Sequence, residues 1–320
     1  MRSIAAAGSN QGPAKVDRRV REAILYNKPV PELPEVETVA RGVDRHVRGD
    51  RITEAWFSSY PQPFKNPPNQ QREGLVGCRI LEVHRTGKHI VFELSCKEEK
   101  KPRQEQPAAL HPEKPTTPDA QWIVHLGMTG RLLVTRPDSP LAPHTHARLD
   151  LASGRELRFV DPRRFGRLEF RRLGAGAAFA APGAEPLDID LEKFAALFRG
   201  RRLPIKAALL NQGLLAGVGN IYADESLFRA GIRPRRRTNR ISIEEYERLR
   251  TALREVLRRA IRMGGSSVSD YVDADGERGF FQLQHYVYQR SGEPCRKCRT
   301  PIRRIVIAGR GTHYCPKCQV

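Results

Sequence analysis

The chain has 320 residues, room for two ordinary domains and a small module, and holds no run of eighteen apolar residues of the kind a membrane helix needs. Its 56 Lys and Arg stand against 36 Asp and Glu, a formal charge of +20. That excess points to a polyanionic partner, and nucleic acid fits better than a lipid surface because no basic amphipathic anchor stands out.

Residues 1–29 carry little periodic apolar pattern and no apolar core of a secretory signal, so residues 1–30 are expected to be a disordered or spurious extension. Next comes Pro31-Glu32-Leu33-Pro34-Glu35-Val36-Glu37-Thr38. From Pro34 the apolar positions Val36, Val39, Ala40, Val43 and Val47 follow helical spacing. Short β-rich runs follow at Ile80–Val83, Lys88–Leu94, Trp122–Leu126, Leu157–Val160 and Gly166–Phe170, and predict a sheet-based domain to about residue 185. A Lys-, Glu-, Gln- and Pro-rich stretch over 97–120 lacks apolar periodicity and reads as a mobile insertion between two strands.

The second half is helical, with spaced Leu, Ile and Ala over Ile205–Leu215, Ile221–Ala230 and Ile243–Met263. Ser242 with Glu245 makes a capping box, and Gly231 and Gly264 suit C-terminal caps. Gly217-Val218-Gly219-Asn220 lets backbone approach a phosphate, with amides at the following helix start to bind it. Cys295, Cys298, Cys315 and Cys318 form C-x2-C-x16-C-x2-C, the spacing of a four-thiolate site for one structural zinc ion. Between the pairs, Ile302–Ile307 and His313–Tyr314 flank Ala308-Gly309-Arg310-Gly311, a hairpin whose turn presents Arg310. Cys78 and Cys96 lie beside apolar stretches and read as buried free thiols of a reducing compartment.

The string from Pro31 resembles the N-terminal signature of the formamidopyrimidine-DNA glycosylases, and later motifs arrive in that family's order over residues 31–320 apart from the 97–120 stretch. The resemblance implies an α+β multidomain fold: an N-terminal β-sandwich with the nucleophile helix over 31–185, a helix-two-turn-helix domain over 186–285, and a C-terminal zinc hairpin over 286–320. It implies that Pro31 is the nucleophile; Glu32 and Glu35 both sit within one turn of it to handle protons, and Glu32 is the preferred one. A free α-amine titrates near 7.7 to 8.0 and is partly neutral at physiological pH. Pro31 here follows Val30, and an amide nitrogen cannot attack a sugar carbon. Valine is what a GUG start codon would spell, so the expected native chain starts at residue 30 and loses it.

Within His84-Arg85-Thr86-Gly87-Lys88-His89, Lys88 matches the family lysine that contacts phosphate and assists catalysis. His125-Leu126-Gly127-Met128-Thr129-Gly130 and Asp161-Pro162-Arg163-Arg164-Phe165-Gly166 look like the intercalating wedge. By that likeness Met128 and Phe165 fill the hole left by an everted nucleotide, Arg163 pairs with the orphaned cytosine, Arg164 lies near phosphate, and His125 is a further DNA contact. Lys206 and Asn220 would contact phosphate directly, and Arg310 would reach phosphate and the minor groove beside the catalytic group. Gly264–Tyr271 resembles the loop that closes over the everted base, with Ser269 where some members carry Lys.

The implied activity is a bifunctional DNA glycosylase and abasic-site lyase of base excision repair. It would remove 8-oxoguanine and formamidopyrimidines from duplex DNA and cut the strand by β,δ-elimination through a proline Schiff base. No organic cofactor is implied; the expected partner is damaged double-stranded DNA, the state a monomer, and the compartment the bacterial cytoplasm at the nucleoid. Two other readings are an endonuclease VIII-type glycosylase for oxidised pyrimidines and a non-catalytic DNA-binding protein that keeps its extension.

Overall fold

The computed structural model describes residues 30–60, 63–96, 117–174, 176–267 and 271–320. Helix α1 (Leu33–Val47) opens the fold, and all five apolar positions at helical spacing are buried. Strands β1 (Ile52–Phe57), β2 (Arg79–Thr86), β3 (His89–Ser95), β4 (Ala120–His125), β5 (Arg131–Thr135), β6 (Thr145–Leu151), β7 (Glu156–Val160) and β8 (Arg167–Arg172) build two four-stranded sheets, with helix α2 (Pro68–Leu75) between β1 and β2. The strand orders are β1-β6-β7-β5 and β2-β3-β4-β8, all antiparallel. Val36, Val39 and Val43 of α1 share one apolar core with Phe92, Trp122, Leu149 and Phe159 from the two sheets.

The five sequence-predicted strands all form, whereas β1, β5 and β6 were not foreseen. In β6 the inward Ala147, Leu149 and Leu151 alternate with Arg148 and Asp150, which are only half-buried, so the apolar signal is diluted at every second position. The expected free thiols need correction: Cys78 and Cys96 form a disulfide. Arg79 pairs with Ser95 across β2 and β3, which sets the two flanking cysteines opposite each other at the hairpin's open end, Cα to Cα 4.1 Å. The 97–116 part of the expected insertion and the extension over 1–29 lie outside the described residues.

Helices α3 (Leu191–Ala196), α4 (Ile205–Leu209), α5 (Asn220–Ala230) and α6 (Ile243–Arg262) form the second half. The helix expected over Ile205–Leu215 ends at Leu209, because Asn211 Oδ1 takes the Gly213 N–H at 2.9 Å and turns the chain. Ser242 and Glu245 bond reciprocally as a capping box, and Gly231 closes α5 at φ 73°. Leu33 in the first turn of α1 belongs to the helical core, while Val36 onward belongs to the sandwich. The two halves therefore meet at the residues directly behind Pro31. Strands β9 (Arg303–Ile307) and β10 (Arg310–Tyr314) make the last hairpin. Its turn is only Ala308-Gly309, both at positive φ, so Arg310 is the first residue of β10 and not part of the turn.

Candidate nucleic-acid and proton-transfer site

A cavity of about 350 Å³ opens where these parts meet, lined by Val30 and Glu32, Lys88, His125, Gln212, Gly219 and Asn220, Tyr288, and Gly309 to Gly311 with Arg310. Glu32, Lys88, His125, Asn220 and Arg310 thus come together from five separate parts of the chain. Pro31 is buried and remains joined to Val30, which itself faces the cavity.

Glu32 is 3% exposed, and its carboxylate accepts the Ile221 N–H at 3.0 Å and the Tyr222 N–H at 3.4 Å. These are first-turn amides of α5, so the helix start expected to bind phosphate is occupied by a carboxylate of the protein itself. Gly219 serves this approach: a Cβ there would sit 2.2 Å from Glu32 Cδ. Burial raises the Glu32 pKa, opposed by the Lys88 charge and the two amides. Lys88, between β2 and β3, is pulled down by burial while Glu32 holds it up.

Glu35, one turn further, accepts three donors: Glu32 N–H at 2.9 Å, Ser266 N–H at 2.7 Å and the Tyr222 hydroxyl at 2.5 Å. Burial, then the Glu32 charge, pushes its pKa up to about 7, against the pull of those donors. The sequence offers Glu35 beside Glu32 for proton handling, with Glu32 preferred, and gives Tyr222, Tyr288 and Gln212 no role. Their only signal was position, inside or beside motifs that carry other expected contacts.

His125 ends β4, and its Nδ1 accepts the Gly127 N–H at 3.1 Å, which leaves Nε2 protonated. Burial, then neighbouring His89 and Lys88, lowers its pKa to about 4, so it is neutral at physiological pH. Asn220 Nδ2 donates to Gly311 O at 3.0 Å. Lys206, expected to touch phosphate, is wholly buried: its Nζ pairs with Asp224 Oδ1 at 2.6 Å and donates to Gly311 O at 3.1 Å. That expectation is corrected, since no face of the ammonium is open to solvent.

Phe165 is 49% exposed, as a wedge residue needs, and the Arg163 guanidinium lies over its ring at 4.8 Å. Arg164 adopts φ 57° and stacks over Tyr60 at 5.0 Å. Met128 is half-buried on the neighbouring turn. Of the base-capping loop, residues 268–270, Ser269 included, lie outside the described residues.

The sulfurs of Cys295, Cys298, Cys315 and Cys318 all lie within 4.8 Å of one another, with Sγ pairs at 4.0 and 3.4 Å. A tetrahedral zinc at about 2.3 Å from each thiolate needs sulfur edges of about 3.8 Å, so the four residues fit one zinc ion and close its coordination sphere. The role of such an ion is structural: it would tie the two cysteine pairs that flank β9 and β10 together, and Cys295 and Cys315 already pack with Phe228, Val287 and Ile302 in one small core.

A chain of charge +20 with a sheet sandwich, a helical half and a four-cysteine hairpin around a cavity of buried carboxyls and cations has the make-up of a nucleic-acid-binding protein with a zinc module. Three family profiles match in succession: the formamidopyrimidine-DNA glycosylase N-terminal domain over residues 30–168, its H2TH domain over 181–272, and the zinc finger found in FPG and IleRS over 292–320. The chain is 44% identical over 290 residues to the formamidopyrimidine-DNA glycosylase of Solibacter usitatus, spanning 91% of this chain and 99% of that protein. The MutM (FPG) crystal structure from Thermus thermophilus superposes with a TM-score of 0.73 at 41% identity, over 90% of this chain and 98% of the other. A variant of the Lactococcus lactis FPG bound to Fapy-dG-containing DNA gives 0.75 at 33% identity, over 90% and 99%. The chain belongs to the formamidopyrimidine-DNA glycosylase family.

Proposed function

We propose that this protein is a DNA glycosylase and abasic-site lyase that removes oxidised purines from duplex DNA in base excision repair. The observation that carries the reading is the placement of Glu32, directly behind Pro31, in one cavity with Lys88 and Arg310. With Val30 removed, the secondary amine of Pro31 attacks C1′ as the glycosidic bond breaks. The base leaves with the bonding pair and takes a proton, the attacking nitrogen gives up its own proton, and its lone pair then expels O4′, which is protonated as the sugar ring opens, leaving an iminium at C1′. Glu32, its pKa raised by burial, is suited to move that proton. The iminium acidifies C2′, and β- then δ-elimination release the 3′ and 5′ phosphates. Lys88 and Arg310 hold phosphate, and neutral His125 offers its Nε2–H to an oxygen of the strand. The same reading takes the zinc-hairpin enzyme as a monomer acting on nucleoid DNA in a bacterial cytoplasm.

Borohydride trapping on a duplex with 8-oxoguanine opposite cytosine tests this, comparing the full chain with one beginning at Pro31. The expected result is an adduct at Pro31 from the shorter chain alone. A stronger adduct on thymine glycol would transfer the enzyme to oxidised pyrimidines. A second reading, a DNA-binding protein without chemistry, is favoured by one observation: Val30 is bonded to Pro31 and lines the cavity. No adduct from either chain would establish it.

A further inference from the structure

Asp161 follows β7 and is fully buried, with its carboxylate oriented toward loop donors. Oδ1 accepts the Thr129 hydroxyl at 2.6 Å and the Arg163 N–H at 3.3 Å, while Oδ2 accepts the Gly166 N–H at 2.8 Å. Thr129 belongs to the turn that carries Met128; Arg163 and Gly166 belong to the turn that carries Phe165. The Arg163 N–H also reaches the Thr129 hydroxyl oxygen at 3.3 Å, so each turn is bonded to the other as well as to Asp161. Backbone packing gives independent support. A Cβ at Gly127 would lie 2.5 Å from the Gly166 nitrogen, and one at Gly166 would lie 2.9 Å from the His125 carbonyl. From outside, His146 Nε2 lies 3.0 Å from the Asp161 carbonyl oxygen and buttresses the same residue.

We propose that Asp161 is a positioning residue that locks the Met128 and Phe165 turns into one preformed wedge for the base stack. The proposal rests on the DNA glycosylase reading and adds a residue to it. Everting a paired nucleotide costs roughly a few kcal/mol, and a wedge that must first order two turns adds that ordering cost to every insertion. A locked wedge has met it during folding. The same turn sets the Arg163 guanidinium 4.8 Å over the ring of the exposed Phe165.

The test uses the full chain, because eversion needs no free amine. Asp161→Asn keeps the shape but turns an amide N–H₂ toward donors, and Thr129→Val removes one hydroxyl while leaving the carboxylate. Eversion is read from 2-aminopurine fluorescence beside 8-oxoguanine in a duplex, and affinity is compared on that duplex and on one carrying a reduced abasic-site analogue. The expected result is an eversion equilibrium lowered about tenfold for Asp161→Asn and less for Thr129→Val, with affinity for the abasic duplex within about twofold of the unsubstituted chain. Eversion unchanged in both variants would overturn the proposal, as would an equal loss of affinity for the two duplexes, which marks general structural damage. Should Asp161→Asn fail to fold, Thr129→Val decides by the same two criteria. No lesion-dependent fluorescence from the unsubstituted protein, neither as the full chain nor as one beginning at Pro31, overturns the glycosylase reading, and the proposal with it.

Discussion

Lys206 and Asp224 face each other at 2.6 Å with both side chains fully enclosed, and the Lys206 ammonium also reaches Gly311 of the zinc hairpin. Asp224 in turn accepts the His313 backbone N–H at 2.8 Å, so one buried ion pair binds α4, α5 and β10 together. Lys206→Ala leaves a buried carboxylate without its cation and is expected to cost about 3–5 kcal/mol of stability. The slope of DNA affinity against salt, measured on folded protein, is expected to stay unchanged. A slope lower by about one would instead return Lys206 to the phosphate contacts.

Glu35 gives the fold a pH dependence of definite sign. Its pKa is about 7 when folded against 4.5 in its reference state, so the folded protein holds the extra proton between those values. Stability from this group is complete below about 4.5 and is lost as pH rises through 7. Glu35→Gln should therefore flatten the fall in melting temperature between pH 4.5 and 7, apart from a constant offset where its amide meets three donors. Parallel melting profiles that differ only by an offset would contradict the assignment.

Phe165→Ala separates wedge from core by magnitude. A core phenylalanine costs about 3–5 kcal/mol on truncation, whereas a ring 49% exposed has little packing to lose. The expected change in melting is small, with lesion eversion strongly reduced. Urea unfolding of the variant checks the first part and fluorescence the second.

Removing zinc should unfold the β9–β10 hairpin and lower DNA affinity, because thiolates held by the metal anchor the strand that begins with Arg310. One equivalent of zinc released on chelation, with loss of duplex binding restored by added zinc, is the expected outcome.

Reducing Cys78–Cys96 is expected to cost about 1–3 kcal/mol, below the full loop-closure value because β2 and β3 already pair the two ends. Melting with and without a reductant measures it.

The sequence made the gross plan legible wherever local pattern and final burial agree, as in the apolar stripe of α1, the capping box of α6 and the paired cysteines. It failed where a residue's partner is remote in the chain. Nothing local marks Lys206 as an internal ion, since Asp224 and Gly311 are its partners only after three elements have packed. The amides at the start of α5 looked like a phosphate site because a carboxylate nearly two hundred residues earlier could not be foreseen to fill it. Cys78 and Cys96 were misread because their meeting depends on the register of β2 against β3, and periodicity does not fix register.

The two-residue turn at Ala308-Gly309 carries a restriction on how this chain can vary. Strand side chains alternate between faces, so one residue added to or removed from that turn would shift β10 by a step and send Arg310 to the opposite side of the hairpin. The same shift would replace the Gly311 carbonyl as the meeting point of Lys206 and Asn220. Length at this tip is therefore held more tightly than residue identity, and an insertion harmless to the zinc ligands would still disarm the cavity.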